Sequence, residues 1–308
     1  MLSCDVYHLP KTLAEALILW QDAPAGSRLV AGATDLLPWA REGRAGDVHV
    51  PHLVDVSRVA ELDGHAIDGD RVRLGANVVY QAFLEDPALK AHLPCMPYCS
   101  IWFADDQIRR QATLAGNIVN ASPAADGTPP MVALNAEIEI ASLAGGTVAR
   151  RTLPVDSFVT GPGQTALKTG EIVTAITCDS CLGYGGAFEK VGQRRSLVIS
   201  TVCAAALVRT SADGQHFADV RLALGGIGPV PVRLSDIERR LVDQPISEEI
   251  IADVSQATDG LINSRTRHAY RTDVVQGFIR RALTNAIRDG LKRPSAANPE
   301  QQQQASHV

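Results

Sequence analysis

Apolar residues recur along this chain first at mixed helical and alternating spacings and later in long strand-like runs, and that change divides it into lobes. Leu13, Ala16, Leu17 and Trp20 fall on one helical face, and Thr12 with Glu15 three residues on makes a capping box, so the spacing predicts an amphipathic helix over 12–22. Residues 1–60 read as strand, helix, strand and loop: 28–31 is a buried strand that enters a glycine-containing loop, and a connection leads on to 53–56. From about residue 60 the pattern is strand and turn with short helices. Residues 71–76 alternate as a half-buried strand, 79–84 and 87–93 suggest helices, and 131–134 reads as another short one. In 136–141, Ile138 and Ile140 alternate with Glu137 and Glu139, a strand with one wet face that returns through a turn at Gly145-Gly146.

Around 161–170 the chain loosens, and the lobe boundary is placed there. Beyond it, 171–176, 183–191, 197–208 and 220–225 read as consecutive antiparallel strands of a meander, and helices follow at 234–242, 247–262 and 268–289. The last helix sets Val274, Val275, Phe278, Ile279, Ala282, Leu283 and Ala286 on one face and docks on the sheet. Strands followed by helices give an α+β fold. The predicted divisions are 1–170, with subdomains of about 1–60 and 61–170, then 171–290, then a disordered tail over 291–308 that carries Gln301 to Gln304 and almost no apolar residues.

With 308 residues, 45% hydrophobic and 20% charged, the chain can bury a sizeable core. A net charge of -5 argues against nucleic acid or an anionic membrane as partner. No apolar run is long enough to span a bilayer and no secretory leader is visible, so the expected compartment is the cytoplasm. The six cysteines, Cys4, Cys95, Cys99, Cys178, Cys181 and Cys203, are too dilute for a disulfide scaffold. Cys95-x-x-x-Cys99 and Cys178-x-x-Cys181 are too loosely spaced for a metal site, and we read them as buried free thiols and expect no metal. His49 and His52 read as surface residues.

Two stretches carry candidate chemistry. In 113–130 (Thr-Leu-Ala-Gly-Asn-Ile-Val-Asn-Ala-Ser-Pro-Ala-Ala-Asp-Gly-Thr-Pro-Pro), small residues, short polar side chains and three prolines make a run too polar for a core helix and suited to presenting backbone. Ala115 and Gly116 allow close approach to main-chain N–H groups. Thr113, Asn117, Asn120 and Ser122 supply neutral donors for phosphate oxygens, and Asp126 suits a sugar hydroxyl. A loop of the same character, Ala31-Gly32-Ala33-Thr34-Asp35, lies upstream. Two such loops imply a ligand with two phosphates. Neither fits the Gly-x-Gly-x-x-Gly dinucleotide pattern or the Gly-Lys-Ser/Thr phosphate loop. Arg109 and Arg110 offset diphosphate charge or form a solvated basic turn. Tyr98, Trp102 and Phe103 are packing, or else a surface for a flavin or a partner.

These motifs resemble the flavoprotein (medium) subunits and FAD domains of the molybdenum hydroxylases, the xanthine, carbon monoxide, nicotine and caffeine dehydrogenases. That family's first FAD loop reads approximately Ala-Gly-Gly-Thr-Asp-Leu, and Ala31-Gly32-Ala33-Thr34-Asp35-Leu36 stands in its place. The second reads approximately Ile-Arg-Asn-x-x-Thr-Ile-Gly-Gly-Asn-x-x-x-Ala-Ser-Pro-x-x-Asp. It is matched by Ile108-Arg109-Arg110-Gln111-Ala112-Thr113-Leu114-Ala115-Gly116-Asn117, then Ala121-Ser122-Pro123 and Asp126. Farther on, Phe188-Glu189-Lys190-Val191-Gly192-Gln193-Arg194-Arg195 resembles the segment whose lysine lies beside the flavin, and Ile172 matches a position that packs on the ring. The bland alternative for Lys190 is a solvated strand lysine. Ala33, Ala115 and Arg110 depart from the pattern, and the two alanines are harmless only where φ is negative.

The resemblance implies a two-lobed FAD-binding domain of the vanillyl-alcohol-oxidase-like type with a C-terminal antiparallel sheet and helices. The cofactor it implies is FAD, bound by Ala31, Gly32, Ala33, Thr34, Asp35, Thr113, Ala115, Gly116, Asn117, Ser122, Asp126, Ile172 and Lys190. It also implies a large molybdopterin subunit and a small subunit with 2Fe-2S clusters, joined as a heterotrimer or its dimer, and an external electron acceptor. No nucleophile–base–orienter set is visible, which suits a redox carrier. A self-contained FAD oxidase and a flavin-free structural subunit stay as rivals.

Overall fold

Thr12 caps the first helix, Leu13–Gln21, by accepting the Glu15 N–H at 3.2 Å, while the Glu15 carboxylate reaches back to the Lys11 N–H at 2.9 Å. Leu13, Ala16 and Leu17 are its buried face, and the Trp20 indole donates to the Glu171 carbonyl. The computed structural model describes residues 2–41, 48–194, 197–262 and 266–293. Strands β1 (Leu2–His8), β2 (Arg28–Val30) and β3 (Val48–Asp55) make a parallel sheet in the order β1-β3-β2.

Next come β4 (His65–Asp68), β5 (Arg71–Gly75), β6 (Glu137–Ala144), β7 (Thr147–Pro154), the short pair β8 (Val159–Gly161) and β9 (Gln164–Thr165), and β10 (Ile172–Asp179). They build a five-stranded antiparallel sheet, β4-β5-β10-β6-β7, with β8 and β9 paired apart from it. Gly145 and Gly146, at φ 58° and 79°, turn the β6–β7 hairpin, a conformation that needs glycine twice over. The remaining strands, β11 (Gly185–Val191), β12 (Val202–Thr210), β13 (Phe217–Gly225) and β14 (Val232–Arg233), form an antiparallel sheet in sequence order. Helices Ser235–Leu241, Glu248–Gln256 and His268–Gly290 follow.

Alternate residues of β12 serve two cores. Cys203, Ala205 and Leu207 join the cluster around the five-stranded sheet, while Val202, Ala204, Ala206 and Val208 join the one under the last helix, with Val275, Ile279, Ala282, Leu283 and Ala286. Each large aliphatic side chain so buried stabilises the fold by about 1.5–3 kcal/mol relative to exposure. No helix among the described residues is long and apolar enough to cross a membrane.

Several expectations change. Residues 172–179 are not the first strand of the C-terminal meander: β10 is the middle strand of the five-stranded sheet, paired with β5 and β6. Its nearly continuous burial reads alike for the centre of either sheet, and periodicity cannot choose the partner. The strand expected over 197–208 starts at Val202, and the helix expected over 247–262 ends at Gln256, ahead of a turn with Gly260 at φ 73°. The run 113–130 contains two helices, Leu114–Val119 and Thr128–Ala133. Thr113 caps the first, and Pro129 and Pro130 sit in the opening turn of the second, where a missing N–H costs nothing. The C-terminal tail, from residue 294 on, and Arg195 lie outside the described residues. Arg293, assigned to that tail, instead docks, donating to Asp289 and to the Lys90 carbonyl.

Asp179 ties the lobes together. Its carboxylate accepts from Arg71 of β5 at 2.5 Å, Asn135 at 2.7 Å and Arg221 of β13 at 2.8 Å. Burial alone would push this carboxyl up, but the Asn135 amide and the Arg221 and Arg71 charges outweigh it and hold it below the usual range. A depressed folded-state pKa gives stability that is complete above the ordinary aspartate value near 4 and is lost as pH falls through the lower folded value. Asp179→Asn should therefore cost about 2 kcal/mol at pH 7 in urea unfolding and flatten the acid limb below pH 4. Equal stability of the two proteins at both pH values would show that the clamp contributes nothing.

Candidate functional site

The loop after β2 and the segment 108–117 meet at Gly32. A Cβ built there would lie 1.9 Å from the Gln111 carbonyl oxygen and 3.3 Å from the Ala112 nitrogen, so only glycine allows the two backbones to touch. The contact is reinforced from below: Tyr80 N–H donates to the Ala112 carbonyl, Gln81 N–H to that of Arg109, and Leu114 N–H to that of Val78. The two loops thus form one wall.

Each loop leaves donors unspent. Leu37 and Trp39 N–H groups bond back to the Ala33 and Asp35 carbonyls as the helix Leu36–Arg41 begins, but among the described residues no protein acceptor takes the N–H groups of Ala33, Thr34 or Asp35. Ala31, Gly32, Ala33 and Thr34 are half-buried and Asp35 is exposed. In the second loop Thr113 Oγ1 accepts from the Gly116 N–H at 3.0 Å, capping the helix, with Gly116 itself exposed and Ala115 buried. Asn117 Oδ1 accepts from the Tyr80 hydroxyl at 2.9 Å and the Gly127 N–H at 3.1 Å. Those two donors fix which end of the amide is oxygen, and its NH2 points away with no protein acceptor among the described residues. Ser122 is half-buried, its hydroxyl accepting the Ala124 N–H.

Asp126 and Lys190 come together at the inner end of this wall. Lys190 Nζ lies 2.5 Å from Asp126 Oδ2 and 3.2 Å from the Trp102 carbonyl, and the Ser200 hydroxyl donates to Asp126 Oδ1 at 2.6 Å. Lys190, expected on a solvated strand if it had no role, is 9% exposed, and Asp126 is 5% exposed. Burial pushes the Asp126 carboxyl up, opposed by Lys190 and Ser200. Tyr80 connects this pair with the first loop. It is buried, stacks on Phe103 at 3.7 Å, and has its phenol pushed well up by burial and by the charges of neighbours that include Asp126 and Asp35. Ile172 lies at the start of β10 with its side chain in the core, so it offers no side-chain surface to this cleft.

Other candidates separate from it. Arg109 is spent on the Phe103 carbonyl, Gln81 and Asp106, and Arg110 on Asp106 and Glu85, so the pair is a structural and a surface group and neither guanidinium stands free over the loops. Phe103 packs on Tyr80. Tyr98 and Trp102 instead line a separate cavity of about 360 Å³ beside Phe188 and the last helix, and the Tyr98 phenol is pushed up to about 12 by burial and by Asp289. Cys95, Cys99, Cys178, Cys181 and Cys203 are buried, and burial raises every one of their thiols, Cys181 to about 12, so they are poor nucleophiles. Among the described residues no group of three His, Cys, Asp or Glu is placed to hold a metal. His49 is exposed beside Asp5, but His52 is half-buried against His8, with ring nitrogens 3.2 Å apart, and is not a free surface residue. Tyr80 and Ser200 escaped the sequence reading because neither belongs to a motif, and only the fold brings them to Asn117 and Asp126.

A diphosphate fits this wall. It needs neutral N–H donors and small residues, and the unspent donors of 33–35 and Asn117 meet that demand. Comparison with known proteins agrees in extent and kind. Residues 2–178 match the family described as "FAD binding domain in molybdopterin dehydrogenase", and 187–286 that described as "CO dehydrogenase flavoprotein C-terminal domain". A putative xanthine dehydrogenase FAD-binding subunit of Escherichia coli K12 is 31% identical over 292 residues, covering 91% of this chain and 95% of that protein. The nicotine 6-hydroxylase medium subunit of Paenarthrobacter nicotinovorans is 30% identical, covering 84% and 89%. Among solved structures, a chain of the carbon monoxide dehydrogenase from Hydrogenophaga pseudoflava superposes with a TM-score of 0.82 at 27% identity, covering 91% of this chain and 96% of that one.

Ala33 has φ 55°, in the left-handed region that disfavours a Cβ, so the methyl group in this loop is strained. Ala33→Gly should raise the stability of the chain by about 1 kcal/mol in thermal or urea unfolding. A loss of stability would show that the methyl group packs to advantage.

Proposed function

This chain belongs to the FAD-binding family of the molybdopterin dehydrogenases, and we propose that it works as their electron-carrying flavoprotein subunit, standing between an iron–sulfur partner and an external acceptor. The partners of this reading are a small 2Fe-2S subunit and a large molybdopterin subunit, in a heterotrimer or its dimer, working in the cytoplasm. When bound, FAD supplies a store for two electrons that it can take up and pass on one at a time. The observation that carries the reading is the wall closed at Gly32, with N–H donors of 33–35 that no protein acceptor takes among the described residues.

In this reading the chain's own residues bind and orient. The N–H groups of 33–35 and the Asn117 amide hold the diphosphate, with Thr113 fixing the turn that carries Gly116. Thr34 and Ser122 add hydroxyls at the margins. Asp126 and Lys190 set the charge at the inner end, where an ammonium favours extra negative charge on a neighbouring group. Ile172 contributes main-chain shape only, since its side chain is in the core.

The purified full-length chain should take up FAD, show a flavin absorbance spectrum and bleach with dithionite. Alone it should not oxidise xanthine, nicotine or carbon monoxide. Gly116→Leu should lose flavin while keeping its circular dichroism, because the added side chain stands in the exposed cradle and its Cβ lies only 2.8 Å from the Thr113 hydroxyl. Full flavin occupancy in that variant, or a wild-type protein that stays colourless with excess FAD, would contradict the reading.

A further inference from the structure

Among the groups that face Asp126, Ser200 belongs to no recognised motif, yet it bonds the carboxylate directly. That carboxylate is approached by Lys190 from β11, by the Ser200 hydroxyl from the segment before β12, and by Cys203 from β12 itself. Helix Met96–Trp102 contributes Cys99, whose thiol donates to the Asp126 carbonyl at 3.3 Å, and Tyr80 lies beyond. Among the described residues, only Lys190 and Ser200 donate to the carboxylate oxygens, one to each. A buried carboxylate with two donors depends strongly on both.

The backbone is arranged to deliver that hydroxyl. Ile199 is 75% exposed and Ser200 only 6%, so the chain passes from surface to interior in one residue. The next residue is held from two sides: Thr201 N–H donates to the Val191 carbonyl at 2.7 Å, and the Thr201 carbonyl accepts from Arg271 of the last helix, which also donates to the Gly226 carbonyl. Opposite, Gly226 N–H bonds the Pro123 carbonyl at 2.9 Å, three residues before Asp126. Ser200 is thereby fixed relative to Asp126 by main-chain contacts that do not involve its own side chain. Such anchoring serves a side chain whose position matters.

We propose that Ser200 is a positioning residue: its hydroxyl holds Asp126 Oδ1 so that the second oxygen stays on Lys190, and so keeps the Lys190 side chain aimed beside the flavin. The last clause rests on the flavoprotein reading given above. Without the hydroxyl, Asp126 Oδ1 is buried with no donor, and the carboxylate takes a proton more readily. The proton then neutralises Asp126, and Lys190 keeps only the Trp102 carbonyl as partner.

The test uses the full chain first without FAD. Infrared difference spectra over pH 5–9 should show the C=O stretch of a protonated, buried carboxylic acid appearing at higher pH in Ser200→Ala than in wild type, and this band should vanish when Asp126→Asn is added. Ser200→Thr, which keeps the hydroxyl, should restore the wild-type titration and controls for any loss of fold. In FAD titrations followed by flavin fluorescence, Ser200→Ala should bind about tenfold more weakly at low pH, where Asp126 is protonated, and approach wild type at high pH. Superimposable infrared titrations of wild type and Ser200→Ala, or a Ser200→Thr protein that folds but behaves like the alanine variant, would overturn the proposal. Lys190→Met with unchanged FAD affinity would overturn the placing of Lys190 beside the flavin, while the infrared result decides the role of Ser200 by itself.

Discussion

Main-chain contact at Gly32 is the constraint on which the site depends. With no Cβ, the first loop lies directly on the Gln111 carbonyl, and two segments about eighty residues apart in sequence are brought into main-chain contact. Any side chain there would collide with the Gln111 carbonyl and force the two loops apart. The stacked pair Tyr80 and Phe103 lies behind this wall and carries its position inward to Asn117 through the Tyr80 hydroxyl.

The inner end is built on a different principle. Asp126 and Lys190 come from separate lobes, and a buried pair of this kind is costly unless the remaining valences are met. Ser200 and the Trp102 carbonyl meet two of them. The ion pair also couples the first core to the second sheet, and the Asp179 clamp at the end of β10 does the same through Arg221 of β13. A few charged contacts thus hold the two lobes together.

Much of this was legible in the sequence, where local physics decides. The Thr12 cap, the β6–β7 hairpin with its paired glycines, and the apolar face of the last helix each depend on residues close in the chain. The strand partner of β10 was not legible, because a run buried on both faces carries no mark of its neighbour. Nor was the helix at Leu114–Val119, where a Thr113 cap overrides a poor composition, while the short helix read at 131–134 starts three residues earlier, at Thr128, because Pro129 and Pro130 fit its opening turn. The roles of Tyr80 and Ser200 depend on contacts across 37 and 74 residues, which no spacing rule reaches.

The most direct measurement is a crystal structure of the chain grown with FAD. The account predicts diphosphate oxygens about 3 Å from the N–H groups of 33–35 and from the Asn117 amide, with Gly32 still against the Gln111 carbonyl. A diphosphate bound away from both loops, for instance in the cavity beside Tyr98 and Trp102, would contradict it.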